Sequence, residues 1–188
     1  MTLAVAFTTE PCPGQTENGD AIVVRNEGDD HLLAVVDALG HGPGAAVVSR
    51  AAVEYLEGVD LRDDVEKLML GLGGALQGTR GAQGMICTVR GRALQGCGVG
   101  NVEMRVHGTR VPVVLTPGIL GGRVRRHRVF DSDLAEGDRL VMFSDGISMR
   151  FPLADLAERS AQEACDHVFG QHRRQHDDAS ILIADVMG

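Results

Sequence analysis

Tryptophan is absent, and tyrosine occurs once and phenylalanine five times in 188 residues. An aromatic platform for stacking nucleic-acid bases is hard to build from so few rings. Basic residues are also short, 18 against 26 acidic ones, for a net charge of -8, whereas a binder of phosphate backbones needs clustered positive charge. Nucleic acid is therefore not an expected partner. No apolar run approaches the roughly 20 residues that span a bilayer. The opening Met1-Thr2-Leu3-Ala4-Val5-Ala6-Phe7 lacks the basic stretch that begins a secretory leader. The expectation is a cytoplasmic chain with no membrane partner. Cys12, Cys87, Cys97 and Cys165 form no CxxC pair and share no spacing with histidines. Zinc and disulfide frameworks are thus disfavoured, and four reduced thiols are expected.

What the sequence has is glycine and strategically placed aspartate. Leu32-Leu33-Ala34-Val35-Val36 is a short aliphatic run that reads as a buried strand and delivers Asp37 to its end. Burying an unpaired carboxylate is costly, so a cation is its natural partner. Gly40, Gly42 and Gly44 then permit a tight turn into the helical pattern that starts at Ala45. The stretch Gly40-His41-Gly42-Pro43-Gly44 lacks a Lys-Ser/Thr ending and is no P-loop.

In chain order, Leu3 to Thr8 reads as a first strand, ended by Pro11 and Pro13. Asn18-Gly19 turns into a second strand with Asp20 at its mouth, and Glu27-Gly28-Asp29-Asp30 closes a hairpin into the strand of Asp37. Helical spacing runs from Gly44 to Glu57. A second helix is capped by Asp60 and carries Leu61, Val65, Leu68, Leu72 and Leu76. Four antiparallel strands are expected at Met85 to Val89, Ala93 to Val99, Val102 to Val106 and Val111 to Leu115, with a fifth, rich in charge, at Arg123 to Phe130. Arg139 to Ser144 is a further apolar strand ending at Asp145-Gly146. Pro152 to Glu158 and Ala161 to Gln171 read as short helices, and Ile181 to Val186 is a last strand just after Asp177-Asp178. Segregated helices and antiparallel strands predict one α+β layered sandwich.

Singly, an aspartate beside a glycine is most often a turn residue. Here, however, Asp37, Asp145 and Asp177-Asp178 each adjoin a strongly apolar strand, which predicts their convergence at one sheet edge. Like charges at about 4 Å repel by roughly 4 kcal/mol at an effective dielectric of 20. Hard divalent cations relieve that, and an all-oxygen donor set favours Mg²⁺ or Mn²⁺ over zinc.

In order and spacing, Asp37-Ala38-Leu39-Gly40-His41-Gly42, Ser144-Asp145-Gly146 and Asp177-Asp178-Ala179-Ser180 resemble the signature of the metal-dependent protein phosphatases, the PPM or type 2C family, in its bacterial SpoIIE/RsbX branch. Glu17-Asn18-Gly19-Asp20, Gly98-Val99-Gly100-Asn101-Val102, Pro117-Gly118-Ile119-Leu120-Gly121 and Leu134-Ala135-Glu136-Gly137-Asp138 support the likeness. The resemblance implies a single phosphatase domain over residues 1–188, built as a four-layer α-β-β-α sandwich with two antiparallel sheets flanked by helices. It implies two metal ions, Mn²⁺ or Mg²⁺, and metal roles for Asp20, Asp37, Ala38 through its carbonyl, Asp145 and Asp177. Asp37 would bridge both ions, Asp145 and Asp177 would hold the first, and Ala38 and Asp20 the second. Asp178 stands where many relatives have Asn and takes an auxiliary role. Gln15-Thr16 occupy the neighbourhood where many eukaryotic relatives carry a phosphate-gripping Arg, and His41 lies further from Asp37 than the His of the Asp-Gly-His type.

The implied activity is hydrolysis of phosphoserine or phosphothreonine by a metal-activated water, with Asp37, Asp145 and Asp177 acting through it. The implied substrate is a phosphorylated STAS-domain protein in a bacterial stress-response or partner-switching pathway. Two alternatives stay open: a catalytically silent phosphatase-like module that binds a phosphoprotein, and a small-molecule phosphohydrolase. Arg123, Arg125, Arg126 and Arg128 form a candidate docking strip for an acidic phosphoprotein.

Overall fold

The computed structural model describes residues 1–122 and 126–188. In chain order the elements are β1 (Thr2–Glu10), β2 (Asp20–Glu27), β3 (Asp30–Ala38), α1 (Pro43–Glu57), α2 (Val65–Ala75), β4 (Ala82–Arg90), β5 (Ala93–Val99), β6 (Glu103–His107), β7 (Leu115–Thr116), β8 (Val129–Asp133), β9 (Arg139–Phe143), α3 (Ala161–His172) and β10 (Ala179–Met187). A 3-10 turn at Leu153–Leu156 lies between β9 and α3. One sheet runs β1-β10-β9-β6 and the other β2-β3-β4-β5-β7, with β8 also paired to β5.

Period-two alternation sorts the apolar side chains into three buried interfaces. On β3, Leu32, Ala34 and Val36 face α1 and α2, where they meet Val48, Ala52, Leu56, Leu68 and Leu72. Leu33 and Val35 point the other way and join Met85, Leu140, Met142, Leu182 and Ala184 between the two sheets. On the far side, Val141, Phe143, Ile181 and Ile183 pack on Ala164, Cys165 and Val168 of α3. Three such interfaces make four layers, α-β-β-α. Among the described residues no helix is long and apolar enough to cross a membrane. All four cysteines are free and buried.

Several local expectations change. The cap of α2 is Asp64, whose side chain accepts from the Glu66 amide, while Asp60 instead closes a turn by accepting from the Arg62 amide. Val111 to Val114 form no strand. These valines are half-buried against the inter-sheet core, and only Leu115–Thr116 pairs, in parallel with β5. Of the charged strand expected from Arg123 to Phe130, Arg123, Val124 and Arg125 lie outside the described residues, Arg126 to Arg128 are not in a strand, and β8 begins at Val129. Pro152 to Glu158 holds a 3-10 turn rather than an α-helix. That turn is tethered from below. Arg139 forms a bidentate pair with Asp185, directly across the ladder at 2.5 and 2.7 Å, and donates to the carbonyls of Leu156 and Arg159.

Candidate metal centre

The register of β2 on β3 sets Asp20 directly opposite Asp37. By alternation both share the face of Ile22, Val24, Leu33 and Val35, so both side chains sit at one open end of the inter-sheet core. Like charges opposed across a ladder are destabilising. The other sheet feeds the same end. Asp145 follows β9, Asp177 and Asp178 precede β10, and β9 and β10 are neighbours. The chain turns there so closely that a Cβ on Gly146 would stand 1.9 Å from the Asp178 carbonyl oxygen, a contact only glycine allows.

These carboxylates feel one another. Burial, then the charges of Asp20, Asp145, Asp177 and Asp178, push the Asp37 carboxyl up to about 8. Asp20 is pushed up to about 7, first by burial and then by Asp178 and Asp177, against hydrogen bonds from Ser144 and Ser180 that lower it. Burial and Asp145 also raise Asp177, while His41, exposed nearby, pulls it back.

Neutral polar groups hold the cluster in place. The Ser144 hydroxyl donates to Asp20 at 2.6 Å and accepts from the Ser180 amide at 3.0 Å. The Asp178 carboxylate, almost fully buried, accepts from the backbone amides of Cys12 at 2.7 Å and Gly19 at 2.8 Å. Gly19 in turn accepts from the Ala38 amide at 3.1 Å, which fixes the last residue of β3. Asn101 donates from Nδ2 to Asp145 at 2.8 Å. Of these supports, the sequence offers Asn101 and Ser144 only as members of motifs, without the contacts they make. The signal available was a polar residue at a strand end, beside Gly100 for Asn101 and beside Asp145 for Ser144.

Asp20, Asp37, Asp145, Asp177 and Asp178 thus come to one end of the sandwich. Among the described residues no three His, Cys, Asp or Glu side chains stand close enough to form a ready-made metal cage. The donors fit hard divalent cations. They are oxygens, two are driven to hold protons at neutral pH, and the buried Oδ1 of Asn101 has no hydrogen-bond partner. Four nucleophilic side chains elsewhere offer no rival chemistry. Ser49 donates to the carbonyls of Asn18 and Ala46, and burial pushes the Cys87, Cys97 and Cys165 thiols up to about 12.

No protein-family model matches the chain, and neither does any curated protein. Solved structures do. A chain solved in work on the bacterial stressosome, described as a modular system adapted to control secondary messenger signalling, is 30% identical. The match covers 98% of this chain and 100% of that one, with a TM-score of 0.92. RsbX in complex with magnesium is 20% identical over 97% of this chain and 94% of its own, with a TM-score of 0.85. The PP2C phosphatase domain of SpoIIE from Bacillus subtilis, solved with a fragment of its regulatory domain, is 18% identical over 99% of this chain and 63% of that one, with a TM-score of 0.77. The chain therefore has the fold of the PP2C-type, or PPM, phosphatases, shared with RsbX and the SpoIIE phosphatase domain, and is related at 30% identity to a stressosome-linked chain.

Proposed function

We propose that this chain is a metal-dependent protein-serine/threonine phosphatase of bacterial stress signalling, whose substrate is a phosphorylated STAS-domain protein. The single observation that carries the reading is the convergence of five aspartates from both sheets at one end of the inter-sheet core, with Asp20 and Asp37 opposed across a ladder. In this reading Asp37, Asp145 and Asp177 hold Mn²⁺ or Mg²⁺, two ions in all, with Asp20 and the Ala38 carbonyl completing the second position. Bound there, the cations supply the acidity that lets water attack phosphorus at neutral pH and the positive charge that receives a phosphate ester. The protein's part is positional. Ser144 keeps Asp20 in place and Asp178 ties down the Cys12-to-Gly19 loop. Ser144, whose hydroxyl donates to Asp20, is fully buried and so out of reach of a phosphate ester, and this reading takes direct attack by water as the path. The STAS-domain substrate is supported by the likeness to a stressosome-related chain and to the RsbX fold. Exposed Arg126 and Arg128 supply positive charge to meet an acidic partner.

The test is phosphate release from a phosphorylated STAS-domain protein and from p-nitrophenyl phosphate, with MnCl₂ or with EDTA, in the parent, Asp37→Asn and Asp145→Asn. Hydrolysis of both substrates that needs Mn²⁺ and falls at least about 100-fold in each variant supports the proposal, since losing a ligand exceeds the 10–100-fold cost of losing an outer partner. Equal rates in all three proteins would discard the enzyme. Binding of the phosphoprotein without turnover would leave the silent phosphatase-like module, and turnover of p-nitrophenyl phosphate alone would point to a small-molecule phosphohydrolase.

A further inference from the structure

Asp145 sits on a turn beyond β9. Among the described residues the hydrogen-bond partner of its carboxylate is Asn101, 2.8 Å away, on the connection by which the chain leaves β5 in one sheet and enters β6, the neighbour of β9, in the other. A carboxylate only accepts, so the Asn101 NH₂ faces Asp145 and its carbonyl oxygen faces elsewhere. That Oδ1 is buried and has no partner. The loop carrying it is pinned, because the Asn101 amide donates to Gln83 Oε1 at 2.6 Å. Gln83 itself stands opposite Asp37 on β4. Asn101 is therefore tied to β4 through its backbone and to Asp145 through its side chain, and keeps one unmet acceptor in the same place.

Resting on the metal-centre reading above, we infer that Asn101 is a positioning residue for the cation site. Its NH₂ fixes the Asp145 carboxylate in the orientation that holds a cation, and its Oδ1 accepts from a water in that cation's hydration shell. A ligand held by a rigid partner loses less freedom on binding, and such outer partners are worth 10- to 100-fold in metal affinity. Without Asn101 the Asp145 side chain rotates freely and turns away from neighbouring negative charge.

The experiment is Mn²⁺ titration by isothermal calorimetry of the parent, Asn101→Ala, Asp145→Asn and the double variant, each first checked by circular dichroism. Asn101→Ala is expected to raise the Mn²⁺ Kd by about 10- to 100-fold with unchanged secondary structure. In the Asp145→Asn background the same change is expected to add little, because Asn101 works mainly through Asp145. A parent-like Kd in Asn101→Ala, or fully additive losses in the double variant, overturns the inference. Should Asn101→Ala not fold, Gln83→Met takes its place. It unties the Asn101 amide yet leaves both side chains, and a parent-like Kd there overturns the inference equally. A parent that binds no Mn²⁺ overturns the metal centre itself, which separates that failure from this one.

Discussion

Carboxylates in this chain are shifted in both directions, and the sign of each shift predicts a different pH dependence. Asp20 and Asp37 hold their protons up to about 7 and about 8, chiefly because of burial. The folded chain therefore binds more protons than the unfolded one above the ordinary carboxylate value of about 3.9. The cost of ionising the pair is absent below that value and grows as pH rises towards 8. In EDTA the melting temperature should fall by more than about 5 °C from pH 6 to pH 8.5. Millimolar MnCl₂ should remove most of the fall, and Asp37→Asn should lessen it, leaving the share that belongs to Asp20. A flat profile in the metal-free parent would contradict this. Asp138 behaves oppositely. Burial alone would raise its carboxyl, but the Ala135 and Thr109 amides, each donating at 2.8 Å, bring it below the usual range. Asp138→Ala should cost about 2–3 kcal/mol at neutral pH in urea unfolding. The deficit should shrink as pH drops below about 3.9 towards the lowered folded value, where the parent loses the same advantage.

Among the elements, α2 carries Gly71, Gly73 and Gly74 in its interior, each a liability of about 1 kcal/mol by helix propensity. The structure separates their roles. A Cβ on Gly71 would lie 1.9 Å from the Tyr55 hydroxyl, which crosses from α1 to donate to the Leu68 carbonyl, whereas a Cβ on Gly74 meets nothing within 4 Å. Gly71→Ala should therefore destabilise by about 1–3 kcal/mol through overpacking, and Gly74→Ala should stabilise by about 0.5–1 kcal/mol. Thermal melts of the two variants would distinguish helix propensity from helix-helix contact. The same contrast explains which elements were legible in the sequence. The strands ending in Asp37 and Asp145 were readable because their apolar residues fill both faces of a buried sheet and stop abruptly at a charge. Val111 to Val114 are also rich in valine, but Pro112 among them has no N–H to give a ladder, and the valines pack on the inter-sheet core without pairing. Asp60 and Asp64 are both competent caps, and only the turn at Asp60 decides between them. Asn101 was legible only as part of a motif, because its function depends on a carboxylate 44 residues away in sequence.

Over the whole molecule, three apolar interfaces hold two sheets and their helices as four layers, and the carboxylates collect where the middle interface opens to solvent. Each sheet contributes part of the cluster, so a cation there would also fasten one sheet to the other. The most direct measurement is calorimetric titration of the metal-free protein with MnCl₂, beside Asp37→Asn. Two ions bound per chain, with binding lost or reduced to one weak site in Asp37→Asn, is the expected result. No binding by the parent, or identical binding by the two proteins, would contradict a cation centre built on Asp37.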